Sequence, residues 1–301
     1  MKLTFLGTGA MVPTKDRNVQ GMYLDYDGEG ILIDCGEGTQ RQMNIAGINR
    51  HKVKKVLISH WHGDHIAGLI GLIQTIGNID EPGTLKIYGP AGSKERLHHL
   101  LNCCDFDLRI DIQLEEVTPK DGEPVKFFEN DKYELYAVDL KHSIPCNGYA
   151  LVEKDKRNID MPKAKKLGLQ QGPLLGKLQD GESIEINGKP IHPDEVSTIK
   201  KGKKLVFILD TEECIGFSNL AQDADVLVAE ATYESSLDEK AEQYKHMTAQ
   251  TVAQIASQTN VGKLILTHFS QRYKTVDALQ EDAKKVFPRT SCAYDFMSVK
   301  L

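Results

Sequence analysis

The 301-residue sequence predicts an α/β fold in which two sheets pack together with helices on the outside. Two observations predict it. Short, β-branched apolar runs such as "KVLIS" and "KLVFIL" alternate with segments of helical period in both halves of the chain. Strands in each half also end on His or Asp, so the halves share one style and point to two similar layers.

Taken in order, "KLTFLG" is a strand closed by a glycine turn. "GMYLDY" and "ILIDCG" form a hairpin around Asp27-Gly28, a pair suited to the turn. "EGTQRQMNIAG" has helix-forming composition and stops at Gly47. "KVLISH" is a buried strand, followed by one helix from about Asp64 to Ile76. "LKIYGP" is a strand and "SKERLHHLLNC" a helix with Ser93 as N-cap. "RIDIQLEEV", "PVKFFEN", "YELYAVDL" and "GYALVE" read as antiparallel strands. From about Lys154 to Lys203 the pattern is lost in favour of Gly, Pro and Lys. That stretch is expected to be an inserted, flexible arm or long loop, and loops of such length are usually functional. The alternation then resumes with strands "KLVFILD", "DVLVAEA", "KLILTH" and "CAYDFMSVK" and helices "HMTAQTVAQIASQ" and "TVDALQEDAKKVF".

Composition excludes several classes. With 40% hydrophobic and 27% charged residues the chain is an ordinary globular protein, expected as a single domain over 1–301. No apolar run approaches the roughly 18 residues of a membrane span, and no cleavage site follows the N-terminal stretch. No membrane association and a cytoplasmic location are therefore expected. Cys35, Cys103, Cys104, Cys146, Cys214 and Cys292 show no repeated CxxC spacing and read as free thiols. The net charge of −6 argues against a nucleic-acid partner only for the chain as a whole. Residues 153–204 hold twelve Lys or Arg against eight acids, a local +4 that leaves −10 elsewhere.

The chemistry concentrates in "SHWHGDH". His60 and His62, two apart on an extended segment, point the same way and offer two imidazoles to one ion. Gly63 permits a sharp bend, after which Asp64 and His65 face a second point a few ångströms away. The string thus supplies half the ligands of a two-metal centre, and other strand ends must supply the rest. His142 in "DLKHSIPCNGY", Asp210 in "FILDT" and His268 in "LILTHFSQRY" each follow an apolar strand. Asp210 has two oxygens to share between two ions. Singly, His142 reads as a surface histidine and Asp210 as a cap; together with the string they read as ligands. His51, His98, His99 and His192 lie on helix or loop patterns and read as solvated. "FLGTGA" lacks the G-x-G-x-x-G spacing of a dinucleotide loop.

"SHWHGDH" fits the HxHxDH signature of the metallo-β-lactamase superfamily, and the fuller pattern resembles the ribonuclease Z family in its short form. "FLGTGAMVPTKDRN", "LIDCGEGTQRQ", "KHSIPCNGY", "GPLLGKLQDG", "LDT", "AEATY", "KHMTAQ" and "LTHFSQRY" carry the resemblance along nearly the whole chain. It implies a four-layer αββα sandwich with two zinc ions per subunit, other divalent ions being possible. One zinc would be held by His60, His62 and His142, the other by Asp64, His65 and His268, with Asp210 bridging. It further implies endonucleolytic removal of 3′ trailers from precursor tRNA, leaving a 3′-hydroxyl, by a homodimer whose basic arm grips the tRNA. Asp64 would receive the proton of the attacking water, and His246, paired with Glu230, would act as general acid. Ala229 stands where the family's HEAT motif has histidine, and Leu209 where glycine commonly precedes the bridging aspartate. Alternatives are a small-molecule phosphodiesterase or other hydrolase of the same superfamily and a non-catalytic RNA-binding relative.

Overall fold

The computed structural model describes residues 1–186 and 188–301. Its contacts divide the chain into two compact units: a body of Met1–Phe128, Leu135–Leu151 and Lys204–Leu301, and a smaller unit of Glu129–Glu134 and Val152–Lys203.

Most of the body's strands belong to two seven-stranded sheets. The first runs Ser298–Lys300, Lys2–Gly7, Gly21–Tyr26, Glu29–Cys35, Val53–Leu57, Thr84–Gly89, Asp111–Glu116; the second runs Thr290–Cys292, Lys263–Thr267, Val226–Glu230, Lys204–Ile208, Cys146–Glu153, Tyr133–Leu140, Val125–Glu129. Their central strands are apolar on both faces because both faces are covered. In the first sheet Leu32, Val56 and Ile87 pack with residues of the helices Thr39–Ile45 and Leu69–Ile76. Ile31, Ile33 and Leu57, one residue out of phase and equally buried, face the other way. The second sheet repeats this, with Val206, Leu227, Ala229, Leu264 and Leu266 against helices that include Ile215–Ala221, Ala249–Gln258 and Asp277–Val286. Bonds between the sheets, such as Tyr149 Oη to the Ile58 carbonyl at 2.7 Å, place them face to face. The layering is therefore helix, sheet, sheet, helix, as the sequence predicts.

Several boundaries differ from expectation. The predicted helix from Asp64 to Ile76 is two, Gly63–Ile66 and Leu69–Ile76, broken at Ala67-Gly68. The Gly68 amide turns to bond the Cys35 carbonyl at 2.9 Å, and a Cβ at Gly68 would lie 2.2 Å from the Gly36 carbonyl oxygen. Gly92, with φ 83°, caps the next helix, while Ser93 is its first residue and takes a hydrogen bond from Trp61 Nε1. Asp111–Glu116 pairs parallel to Thr84–Gly89, not antiparallel. "CAYDFMSVK" is two strands: Thr290–Cys292 ends the second sheet, Phe296 turns the chain at φ 69°, and Ser298–Lys300 joins the edge of the first.

The smaller unit is folded rather than a structureless loop. Lys156–Ile159 pairs antiparallel with Ser197–Lys200, and Ile184–Ile186 with Lys189–Ile191. Three short helices, Met161–Lys166, Pro173–Gln179 and Pro193–Val196, each begin with Pro in the first turn, where its missing N–H costs nothing. Ala164, Leu169, Leu175, Leu178, Ile184, Ile191 and Val196 form its own core.

Candidate metal centre

Parallel pairing brings the site together. Ile208 lies opposite Ala229 and Glu230 opposite Thr267, so Glu230, the last residue of its strand, and Asp210 and His268, just beyond theirs, lie along the C-terminal edge of these parallel strands. Such edges of parallel strands are where α/β proteins bind ligands. The tip after Val53–Leu57 brings His60, His62, Asp64 and His65 from the first sheet, and His142 follows Tyr133–Leu140. Ligand atoms of His60, His62, His142 and Asp210 lie within 4.8 Å of one another, as do those of Asp64, His65 and His268. Asp210 touches both groups, with Oδ2 at 3.7 Å from His60 and Oδ1 at 3.4 Å from His65 and 3.2 Å from His268. The structure thus brings together all seven residues singled out in the sequence. His98, His99 and His192 are exposed and His51 half-buried, and none belongs to a ligand cluster among the described residues.

The hydrogen bonds fix which ring nitrogens face inward. Asp34 only accepts, and it takes bonds from the Ser59 amide, Ser59 Oγ and His65 Nδ1 at 2.7, 2.7 and 2.6 Å. Ser59 Oγ, already donating to Asp34, accepts from His60 Nδ1 at 3.0 Å. Thr232 Oγ1 donates to Glu230 at 2.6 Å and so accepts from His268 Nδ1 at 3.1 Å. His142 Nδ1 donates to the Lys245 carbonyl at 3.1 Å. As neutral rings, His60, His65, His142 and His268 therefore all turn a bare Nε2 lone pair inward. His65 Nε2 and His268 Nε2 are only 3.2 Å apart, and His60 Nε2 lies 2.9 Å from His62 Nδ1. Imidazole nitrogens brought this close suit a cation between them, and such outer partners are what orient metal-binding histidines. Asp210 Oδ1 is a buried carboxylate oxygen with no hydrogen-bond partner, which also fits a metal ligand.

The electrostatics agree. Burial would raise the Asp210 carboxyl, but His268, His65 and His60 hold it well below the usual carboxylate range. Burial opposes charge on His65, yet Asp210 and Asp34 overcome this and draw a proton onto it, the same field that attracts a cation. Burial likewise would raise Asp64, and the His268 and His65 rings bring it far down. Asp34, Asp210 and His268 sit at φ 55°, 37° and 58°, left-handed conformations costing about 1–3 kcal/mol each that persist where the surroundings enforce them.

Beside the cluster, His246 Nδ1 lies 2.9 and 3.1 Å from the two Glu230 oxygens. Glu230 is fully buried and also accepts from the Thr211 amide at 2.7 Å. Burial disfavours the imidazolium, but the Glu230 carboxylate outweighs it, and the His246 pKa is pushed up to about 9. Ala229 packs in the core on the helix side, one residue out of phase with Glu230, so position 229 faces away from the centre. A cleft of about 770 Å³ opens over the cluster, lined by His62, Asp64, His142 and His246 and by Lys240, Lys245 and Arg272.

Comparison with known proteins agrees with this architecture. Ribonuclease Z of Methanothermobacter thermautotrophicus is 40% identical over 302 residues, covering 100% of this chain and 97% of the relative. The chain belongs to the ribonuclease Z family. Ribonuclease Z of Archaeoglobus fulgidus is also 40% identical, over 305 residues and 97% of its own length. The human short-form tRNase Z crystal structure shares 27% identity at a TM-score of 0.74, covering 100% of this chain and 99% of that one. The metallo-β-lactamase fold protein YhfI of Bacillus subtilis, 19% identical at a TM-score of 0.70, shares the fold, with 99% and 98% of the chains covered. The family model for the anti-Pycsar protein Apyc1 matches residues 1–156, a span that includes His60 to His142 but not Asp210, Glu230, His246 or His268. The His and Asp clusters together with this family mark a divalent-metal site.

Asp34, Ser59, Thr232 and Lys245 were not singled out from sequence as parts of the site. Asp34 carried a usable signal: it ends the apolar run "ILID", as Asp210 ends "FILD".

Proposed function

We infer that this protein is an endoribonuclease that removes 3′ trailers from precursor tRNA, working through two divalent cations, zinc foremost. Membership of the ribonuclease Z family carries the activity. The observation that carries the chemistry is the convergence of bare imidazole nitrogens on two faces of Asp210. Charge favours two ions over one. With the ligand imidazoles neutral and a charged His246 offsetting Glu230, the carboxylates of Asp34, Asp64 and Asp210 remain, more than one dication neutralises. His60, His62 and His142 would hold one ion, Asp64, His65 and His268 the other, and Asp210 both.

Two divalent cations held by these residues would supply Lewis-acid polarisation of the phosphoryl oxygens and would acidify the attacking water. The remaining work falls to the chain. Asp64, kept ionised by its neighbours and fixed by the Met11 amide at 2.8 Å from Oδ2, orients the attacking water and receives its hydrogen bond. His246, protonated opposite Glu230, donates to the departing 3′ oxygen, so the tRNA keeps a 3′-hydroxyl. Lys240, Lys245 and Arg272 along the cleft attract the phosphate backbone in a chain that is negative overall.

The smaller unit is proposed to grip tRNA. Lys165, Lys166, Lys177, Lys189 and Lys200 are exposed on it, and lysines on a folded support contact phosphates without reading sequence. By analogy with its family the protein works as a homodimer. Mapping the cut on a 3′-extended precursor tRNA, with metal content measured on the same sample, tests the reading. A single cut at the trailer junction and about two metal ions per chain are expected. Hydrolysis of small phosphodiesters without any cut in the precursor would refute the tRNA assignment.

A further inference from the structure

Metal ligand and general acid are joined by one peptide unit. Lys245 follows the helix Asp238–Tyr244 and adopts φ 56°, a left-handed conformation uncommon outside glycine. The His246 amide bonds the Ala241 carbonyl at 2.8 Å and the Lys245 amide bonds that of Glu242 at 3.1 Å, the paired bonds of a Schellman ending. This turn aims the Lys245 carbonyl oxygen at His142 Nδ1, 3.1 Å away, and its Nζ lies 3.5 Å from the His142 carbonyl oxygen. The next residue is His246, whose ring centroid is 5.4 Å from that of His142. A carbonyl can only accept, so this contact puts the His142 proton on Nδ1 and leaves Nε2 bare for a metal.

We propose that Lys245 is a positioning residue that couples metal capture by His142 to the presentation of His246. The peptide that selects the His142 tautomer ends at the Cα that carries the acid. With an ion on His142 Nε2, the Nδ1 donor would be strengthened and would hold Lys245 in its left-handed turn. That turn in turn fixes the backbone from which His246 reaches Glu230. Coupling of this kind is reciprocal: whatever loosens the turn weakens metal binding, and removing the metal loosens the turn. The proposal rests on the ligand role of His142 and the acid role of His246 inferred above.

Two measurements on the full-length protein test it. Amide exchange at residues 245–247 is followed with zinc stripped by chelator and then restored; zinc is expected to slow it about tenfold or more. Zinc affinity is then compared by chelator competition for Lys245→Gly and Lys245→Val. Both lose the ammonium, but only valine resists a left-handed conformation. Lys245→Val is expected to bind zinc about tenfold more weakly than Lys245→Gly, within the range lost when a ligand's outer partner is removed. Its single-turnover cleavage should fall further still below that of Lys245→Gly, while the two variants share one KM because both lack the ammonium. Exchange indifferent to zinc, or equal zinc affinity of the two variants, overturns the coupling. Full cleavage by His246→Ala would instead overturn the acid role, so the two failures are told apart.

Discussion

The body and the smaller unit invest their sequence differently. In the body, polar groups are taken inside: Asp34, Glu230, His60, His65 and His268 are all at most 1% exposed, and three residues of the centre hold left-handed backbone. In the unit of 129–134 and 152–203, seven modest apolar side chains make the core and the lysines stay outside. Burying charge is costly unless every group finds a partner, so the body tolerates few changes at its centre. Solvated lysines are individually cheap to replace, and their effect is collective. Chemistry is thus assigned to the region of buried charge and long-range attraction to the region of exposed lysines.

The sharpest way to break this division is to remove a ligand. His62→Ala or Asp64→Ala should reduce cleavage of precursor tRNA by about a thousandfold or more, since the metal chemistry is lost as a whole. Circular dichroism should stay near native, because both side chains sit at the cleft and outside the apolar clusters. Full cleavage in either variant would remove that residue from the centre.

The acid pair comes next. His246→Ala should lower kcat about 10²–10⁴-fold, the usual contribution of a positioned acid. The sign of its pH dependence follows from Glu230, which pushes the His246 pKa up to about 9. The donor form is then complete well below that value and is lost as pH rises through it, giving an alkaline limb near 9. Glu230→Gln should move that limb down toward the ordinary histidine value of about 6.5, with most of the activity loss appearing at pH 8. A limb that stays in place would separate His246 from proton donation.

Asp34 sharpens the comparison within the body, because it touches His65 directly and His60 through Ser59. Asp34→Asn should weaken metal binding about 10–100-fold, as for other outer partners, while leaving KM for precursor tRNA little changed. Metal affinity equal to that of the parent would show that the imidazoles are oriented without it.

The same contrast explains what the sequence revealed. The residues that converge at the centre were legible because ligation needs few side-chain types, and His60, His62, Asp64 and His65 crowd into one strand tip. Asp210 and His268 were legible because a polar residue directly after an apolar run is conspicuous. Ser59, Thr232 and the Lys245 carbonyl were not, since hydroxyls and backbone carbonyls occur everywhere and acquire a role only through a partner distant in sequence. The break at Gly68 was hidden for a similar reason: the Gly68 amide bonds the Cys35 carbonyl, a partner distant in sequence. Within the smaller unit, helices of six, seven and four residues are too short to display a period, so a folded element read as a loop.

That unit offers the mildest test. Lys165, Lys166 and Lys177 are exposed, and none of the apolar residues of the unit's core depends on them. Changing all three to glutamate should leave the unit folded and kcat near that of the parent, but raise KM for precursor tRNA by about tenfold at moderate salt. If each lysine neutralises one phosphate, removing all three flattens the plot of log affinity against log salt by roughly 2 to 3 in slope. Hydrolysis of a small phosphodiester, which has no distant phosphates to hold, should be indifferent to the change. Equal loss on both substrates would mean that these lysines act on the centre itself, and the separation of attraction from chemistry between the two regions would have to be abandoned.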